Sequence, residues 1–307
     1  MYNEKRKMQF ISEKEENAII SKNLSKAFED AEEMEKRLGK DMCEWTSGEI
    51  IDYYKYLSTP YVQTLIQLHN SLSNYTTWCI LNGLVKNNQN HYLEIKTEMI
   101  LNCTDINSLI KTVISREELL KEIKTLPNES DKFIMLGLFE GIPVADDVMK
   151  NVKLSDLEDN ILHLSNGVDL KISEQLKNYI HLANQEDCYI SYSNLRSPQE
   201  IPYKEDGCVI RETTRNKSDK TNSTIFIGAR LRRAIRCLGM VEGTTMKTIM
   251  ESGRLHFMRE LAKEYNVKME DTINNRQLRD IHERIFGKIQ NRITYMSTYG
   301  RCFDDMD

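Results

Sequence analysis

Eight basic side chains crowd the stretch between positions 211 and 236: Arg211, Arg215, Lys217, Lys220, Arg230, Arg232, Arg233 and Arg236. Only Glu212 and Asp219 oppose them there. Guanidinium and ammonium groups at this density suit phosphate oxygens, which arginine can grip in bidentate fashion. The intervening RNKSDKTNST adds hydroxyl donors. Arg230, Arg232, Arg233 and Arg236 fall on a helical pattern whose apolar side is Leu231, Ala234, Ile235 and Leu238. A plain solvated helix face is the competing explanation.

The charge is unevenly distributed over the chain. From Cys208 to Phe303 there are nineteen Lys/Arg and ten Asp/Glu, a local net of +9. The whole chain carries −5, so the remainder carries −14. An acidic average thus conceals a basic half, a pattern expected of a polyanion-binding face. Other chemistry is poorly represented. The seven cysteines, at 43, 79, 103, 188, 208, 237 and 302, are odd in number, and no two lie within five residues of each other. That spacing excludes a zinc ribbon and argues against a disulfide framework, so free thiols in a reducing compartment are expected. His69, His91, His163 and His181 are scattered and suit no metal site. No cofactor is expected.

The elements that must position these groups read as mostly helical. The chain has 307 residues, enough for two domains, with only 13 Gly and 5 Pro. No apolar run is long enough to span a membrane, and the N-terminus lacks the apolar segment of a signal peptide. Residues 1–40 read as helix, with Phe28, Ala31, Met34 and Leu38 on its apolar face and Gly39 at its end. Thr46 and Glu49 form a capping box that opens the helix IIDYYKYL. Pro60 is placed to begin the next helix. Its apolar positions Val62, Leu65, Ile66, Leu68, Leu72, Tyr75, Trp78 and Cys79 recur with a period near 3.6, and Gly83 ends it. Its polar face carries Gln63, Thr64, Gln67, Asn70, Ser71 and Asn74. A further short helix is expected over 92–101.

Residues 104–114 form a linker. Ser115 and Glu118 make a second capping box, followed by the apolar helix DKFIMLGLFEGI. Asn166-Gly167 sits between alternating apolar residues, the signature of a hairpin. Ser173 opens another helix, DCYISYS reads as a third strand, residues 194–222 are irregular, and the chain is helical from Ile227 on.

This order resembles the tyrosine recombinase (phage integrase) family over roughly residues 40–300. TPYVQTLIQLHNSLSNYTTWCILNGLV resembles the hallmark helix of its core-binding domain. FIMLGLFEGIPVADDVMKNVKLSDLEDNILHL resembles the start of its catalytic domain. The resemblance implies a mainly α (α+β) fold: a helical core-binding (SAM-like) domain over 1–103, the linker, and a recombinase-like domain with a small antiparallel sheet over 115–307. It also implies that the Pro60 helix faces the DNA groove, so that Gln63, Gln67, Asn70 and Asn74 could address base edges.

Strand cleavage in that family needs a Tyr nucleophile, two Arg on the scissile phosphate, and Lys and His groups to move protons. At the corresponding places this chain has Pro143 for the first Arg and Lys247 and Met250 in the His-x-x-Arg box. Gly287-Lys288 replaces Gly-His, and Lys171 lies beyond the hairpin turn. Tyr295 or Tyr299 alone survives as a nucleophile candidate. A shifted alignment offers Arg254 and His256 as relics of the site, now turned to phosphate or to a structural polar pair. The expectation is therefore a scaffold that binds DNA without cleaving it; the alternative is an active recombinase using Tyr299 or Tyr295.

Within the family, FEDAEEMEKRL, EWTSGEIIDYYKYLSTPYVQTLIQLHNSLSNY and SGRLHFMREL resemble the SPβ-type prophage master repressor group (MrpR/YopR). That resemblance implies a cytoplasmic, nucleoid-associated repressor of phage lytic genes that maintains lysogeny. Its implied partners are double-stranded operator DNA and accessory phage regulators, with no membrane.

Overall fold

A computed structural model of the chain describes residues 1–14, 18–193, 196–215, 223–289, 291–300 and 302. Two compact units emerge: Met1–Ser108 with Met296–Tyr299, and Leu109–Tyr295 with Gly300–Asp307. Both are mainly helical. Among the described residues no helix is long and apolar enough to cross a membrane.

The first unit begins with α1 (Glu4–Lys14), α2 (Ala18–Asp30) and α3 (Glu32–Leu38), where sequence reading expected one run of helix. Gly39 ends α3 in a left-handed conformation. After a 3-10 turn at Met42–Glu44 come α4 (Ser47–Leu57) and α5 (Val62–Leu81). The capping box forms as expected: Thr46 accepts from Glu49 N–H, and Glu49 accepts from Thr46 N–H. Pro60 is not the first residue of α5; Tyr61 caps it and Val62 begins it. The helix expected over 92–101 is instead a 3-10 turn, His91–Glu94, followed by α6 (Thr97–Leu101), and α7 (Ile106–Ile110) lies within the linker.

Aromatic side chains fill this unit. Phe28, Trp45, Tyr53, Tyr54, Tyr75 and Tyr92 are almost wholly buried, which assigns most tyrosines of the α4–α5 region to packing. A buried ion pair ties α1 to α3: Lys7 Nζ lies 2.5 Å from Glu35 Oε2, both side chains being fully buried. Glu35 also accepts from Met42 N–H at 2.9 Å. Desolvation raises the Glu35 pKa to about 7 despite the neighbouring Lys7.

The second unit is built around α9 (Glu129–Phe139). Every residue from Ser130 to Phe139 except Lys132 is buried, as its nearly all-round apolar sequence requires. It is preceded by α8 (Arg116–Ile123), with the expected Ser115–Glu118 box. Strands β1 (Leu157–Glu158), β2 (Ile161–His163) and β3 (Asp169–Lys171) make an antiparallel three-stranded sheet in that order. The β2–β3 register pairs Leu162 with Leu170 across the Asn166-Gly167 turn. Then come α10 (Glu174–Gln185), capped by Ser173, and strands β4 (Cys188–Ser193) and β5 (Arg196–Pro202). The expected third strand does exist at β4, but it pairs with β5 in a separate two-stranded sheet. Part of the 194–222 stretch is therefore strand rather than irregular chain. Five helices complete the unit: α11 (Ser223–Cys237), α12 (Met246–Tyr265), α13 (Asp271–Asn274), α14 (Arg276–Phe286) and α15 (Arg292–Tyr299), the last of which extends into the first unit's residues.

Helices α10, α11 and α12 all pack on α9. At the α12 crossing, Gly253 lies so close to the Phe139 carbonyl that a Cβ there would collide with backbone. Gly253→Ala should therefore destabilise the chain by about 1–3 kcal/mol or more, through overpacking that backbone must absorb. Urea unfolding checks it; an unchanged midpoint would refute the close approach.

Candidate nucleic-acid interface

The basic stretch divides into an inward and an outward set. Helix α11 turns Ile227, Arg230, Leu231 and Ala234 into the core. Arg230 is thus 4% exposed and contacts the start of α9: Nε donates to Asp131 Oδ1 at 2.7 Å and Nη2 donates to Ser130 Oγ at 2.5 Å. Its guanidinium lies over the rings of Tyr189 and Phe226. Burial alone would loosen its proton, but the Asp131 carboxylate together with Tyr203 and Tyr189 more than offsets that effect, and its pKa is raised.

The same network takes in strand β4 and the residues that flank the β4–β5 hairpin. Asp131 Oδ2 accepts from Tyr192 Oη at 2.9 Å and from Asn128 Nδ2 at 3.1 Å. Asn128 exchanges two hydrogen bonds with the backbone of Ile190. Ser130 Oγ meets Tyr203 Oη at 2.9 Å, and Glu186 accepts from the N–H groups of Glu129 and Ser130. Sequence reading missed Asn128, Ser130, Asp131 and Glu186. Their signal was a charge set near the start of an otherwise apolar helix.

Arg211 is also interior, 8% exposed, with Nη2 donating to the carbonyls of Ala183 (3.1 Å) and Glu186 and its guanidinium over Tyr203. Arg254 is 5% exposed and donates to the carbonyls of Phe286 and Gly287. The expectation that Arg211, Arg230 and Arg254 touch DNA is corrected: a guanidinium removed from water must be paired, and all three are paired within the protein. His256 is half-buried against Phe139, and burial lowers its pKa.

The outward set is Arg215, Arg232, Arg236 and Lys247, all exposed, together with half-buried Arg233. Arg215 Nη1 donates to Gln199 Oε1 at 3.0 Å, and Arg233 Nη1 donates to Tyr189 Oη at 2.8 Å. Lys217 and Lys220 lie outside the described residues. In the other unit, α5 presents Gln63, Gln67, Asn70 and Asn74 to solvent. Their spacings of four, three and four place these uncharged amides on one stripe.

The residues that the recombinase resemblance singles out lie around the crossing of α9, α12 and α14. Gly141, after α9, has φ +99° and sits against Ile285 and Phe286 at the end of α14, while α12 crosses α9 at Gly253. Pro143 and Met250 offer no charge, and Lys171 and Lys288 are exposed. Tyr295 is 8% exposed, and its hydroxyl donates to Glu251 Oε2 at 3.1 Å. The same Glu251 oxygen lies 3.6 Å from Arg254 Nε, whose guanidinium lies over the Tyr295 ring. Tyr299, the other candidate, is 5% exposed. Among the described residues no group of three His, Cys, Asp or Glu side chains could hold a metal.

Two family descriptions match the chain. "MrpR, N-terminal core-binding domain" covers residues 1–81, and "MrpR, C-terminal catalytic domain" covers residues 113–299. The chain belongs to the MrpR family. The MrpR-type, tyrosine recombinase-like architecture accounts for the order of a helical unit followed by a mixed unit with a small antiparallel sheet. No curated protein matches the chain.

The buried polar groups of the second unit make two stability predictions. Arg230→Leu strands Asp131 and should cost about 3–5 kcal/mol, whereas Arg232→Leu, on the exposed side of the same helix, should stay within about 0.5 kcal/mol of wild type. Equal effects in urea unfolding would contradict the inward and outward division. His282, wholly buried on α14, has its pKa lowered to about 4 by desolvation, with Arg254 adding to the shift. A folded-state pKa below the ordinary 6.5 means full stability above pH 6.5 and loss as pH falls toward 4, by up to about 3 kcal/mol. Unfolding at stepped pH should show that loss in wild type and a smaller one in His282→Leu.

Proposed function

We propose that the chain is a sequence-specific binder of double-stranded DNA that represses phage lytic genes from a recombinase scaffold without cutting its target. One observation carries this reading: Tyr295, one of the two nucleophile candidates, donates its hydroxyl to the Glu251 carboxylate, and the buried Arg254 beside it donates to the carbonyls of Phe286 and Gly287. Cleavage develops negative charge on the scissile phosphate, which cations must balance. Here Pro143 and Met250 stand in the arginine positions, Arg254 is committed to carbonyls, and Glu251 would repel the phosphate. Losing a single oxyanion-stabilising donor typically costs about 10²–10³ in rate, and several are lost here.

DNA affinity does not need those groups. Arg232 and Arg236 remain outward on α11, and the α5 amides carry hydrogen-bonding capacity without charge. Phosphate contacts supply affinity that salt weakens, whereas base contacts supply discrimination. The core-binding match over residues 1–81 supports a role for α5 in that discrimination. Repression follows from occupying an operator without processing it.

Gel shifts at several salt concentrations test the reading with two double variants. Arg232→Ala/Arg236→Ala should weaken operator and random DNA alike and flatten the salt slope by about one unit per lost phosphate contact. Gln67→Ala/Asn70→Ala should leave the slope unchanged and narrow the gap between operator and random DNA, by about 1–3 kcal/mol per good bidentate contact. A suicide DNA substrate should trap no covalent adduct, and Tyr295→Phe should repress like wild type. An adduct through Tyr295 or Tyr299 would overturn the proposal.

A further inference from the structure

One outward arginine of α11 differs from its neighbours. Arg232 and Arg236 are exposed, and among the described residues neither makes a side-chain hydrogen bond or an ion pair. Arg233 is half-buried, and its Nη1 donates to Tyr189 Oη at 2.8 Å. Its guanidinium also lies over the Tyr189 ring, 5.7 Å from the centroid. Among the described residues that is the one side-chain hydrogen bond Arg233 makes. Nε and Nη2, a bidentate edge of the guanidinium fork, remain as donors for a ligand.

Tyr189 is itself held in place. It is 4% exposed and pairs with Ile201 across the β4–β5 hairpin. The Arg230 guanidinium lies 4.6 Å from its ring centroid, and Asp131 fixes Arg230 in turn. The rings of Tyr192 and Tyr203 lie 6.3 Å and 6.4 Å away. The buried ion pair thus fixes the ring, and the hydroxyl of that ring fixes Arg233. The next pair on the same face of the hairpin is Ser191 with Gln199, and Gln199 Oε1 accepts from Arg215 Nη1 at 3.0 Å. One face of the hairpin therefore gathers two guanidiniums at successive positions. Cations set in a row suit a polyanion whose charge repeats along an axis better than they suit a single anion.

We propose that Tyr189 is a positioning residue for the DNA backbone: its hydroxyl holds Arg233 in the orientation that receives a phosphate, which makes the β4–β5 face part of the binding surface. The proposal rests on the DNA-binding reading above. Its physical basis is pre-organisation. An arginine side chain has several rotatable bonds, and ordering them on contact subtracts from affinity. For Arg233 that ordering is completed on folding, because Nη1 is committed to Tyr189 and the rigid fork then sets the direction of Nε and Nη2. Arg232 and Arg236 supply charge but must be ordered by the ligand itself. The Tyr189 hydroxyl carries no charge, so it governs how well one phosphate is held and not how many are held.

Fluorescence anisotropy of the full chain with a random-sequence duplex, at several salt concentrations, tests this, because phosphate contacts carry no sequence information. Tyr189→Phe keeps the ring beneath Arg230 and removes only the hydroxyl. It should weaken binding by roughly 2–12-fold, the range of one ordinary hydrogen bond, at an unchanged salt slope and an unchanged urea midpoint. Arg233→Ala should weaken binding and flatten the slope by about one unit. Added to Arg233→Ala, Tyr189→Phe should cost no further affinity, a coupling that a merely structural role of the tyrosine would not produce. Arg233→Lys keeps the charge without the fork, and should lose affinity at an unchanged slope. Full affinity in Tyr189→Phe, or an equal loss with and without Arg233, would overturn the proposal and leave the DNA-binding reading standing. Should Tyr189→Phe lower the urea midpoint, Arg233→Lys decides, and wild-type affinity in that variant would overturn the proposal. A wild-type chain that bound no duplex at low salt would overturn the DNA-binding reading and this proposal with it.

Discussion

The Arg230–Asp131 ion pair is the constraint around which the second unit is arranged. Neither charge can leave water unpaired, so α11 and the start of α9 must meet wherever both are buried. Asp131 also accepts from Tyr192 on β4 and from Asn128, which is itself bonded to the Ile190 backbone. A single carboxylate thereby sets the positions of two helices and a hairpin. Glu186 fills the adjoining role by accepting the N–H groups at the head of α9 that no helix bond can satisfy.

That arrangement determines which arginines remain for a ligand. Helix α11 is amphipathic with a guanidinium on its buried stripe, so burying Arg230 turns Arg232 and Arg236 outward. The same division operates at the recombinase-type centre, where Arg254 bonds to carbonyls at the end of α14 and Glu251 takes the Tyr295 hydroxyl. Arg230 and Arg254 both donate inside the protein, where they hold helices together. Gly141 and Gly253 permit the close contacts among α9, α12 and α14, since a Cβ at either would collide with its neighbours.

The first unit follows a parallel logic with different groups. Lys7 and Glu35 fasten α1 to α3, and Asp41 with Tyr75 fastens the following turn to α5. Aromatic rings fill the space between. The polar stripe on α5 stays outside because the opposite face of that helix is wholly engaged by Leu65, Leu72, Tyr75 and Trp78.

Local chemistry was legible in the amino-acid sequence by itself. The capping boxes at Thr46 and Ser115, the Asn166-Gly167 hairpin, the period of α5 and the burial of α9 all depend on groups a few residues apart, and each formed where its pattern lay. The exposed stripe of Gln63, Gln67, Asn70 and Asn74 followed from helical spacing alone. Even Arg230 left a trace, since it falls between Ile227, Leu231 and Ala234 on the apolar side. Tertiary structure alone decided the rest. Strand β4 has no local feature that selects β5 over the β2–β3 hairpin, because pairing depends on which edge the fold brings near. Composition counts Arg211, Arg230 and Arg254 as cations but not their partners, which lie 25 to 100 residues away. The bond from Tyr75 to Asp41 was invisible for the same reason: a separation along the chain carries no distance until a core has closed around it.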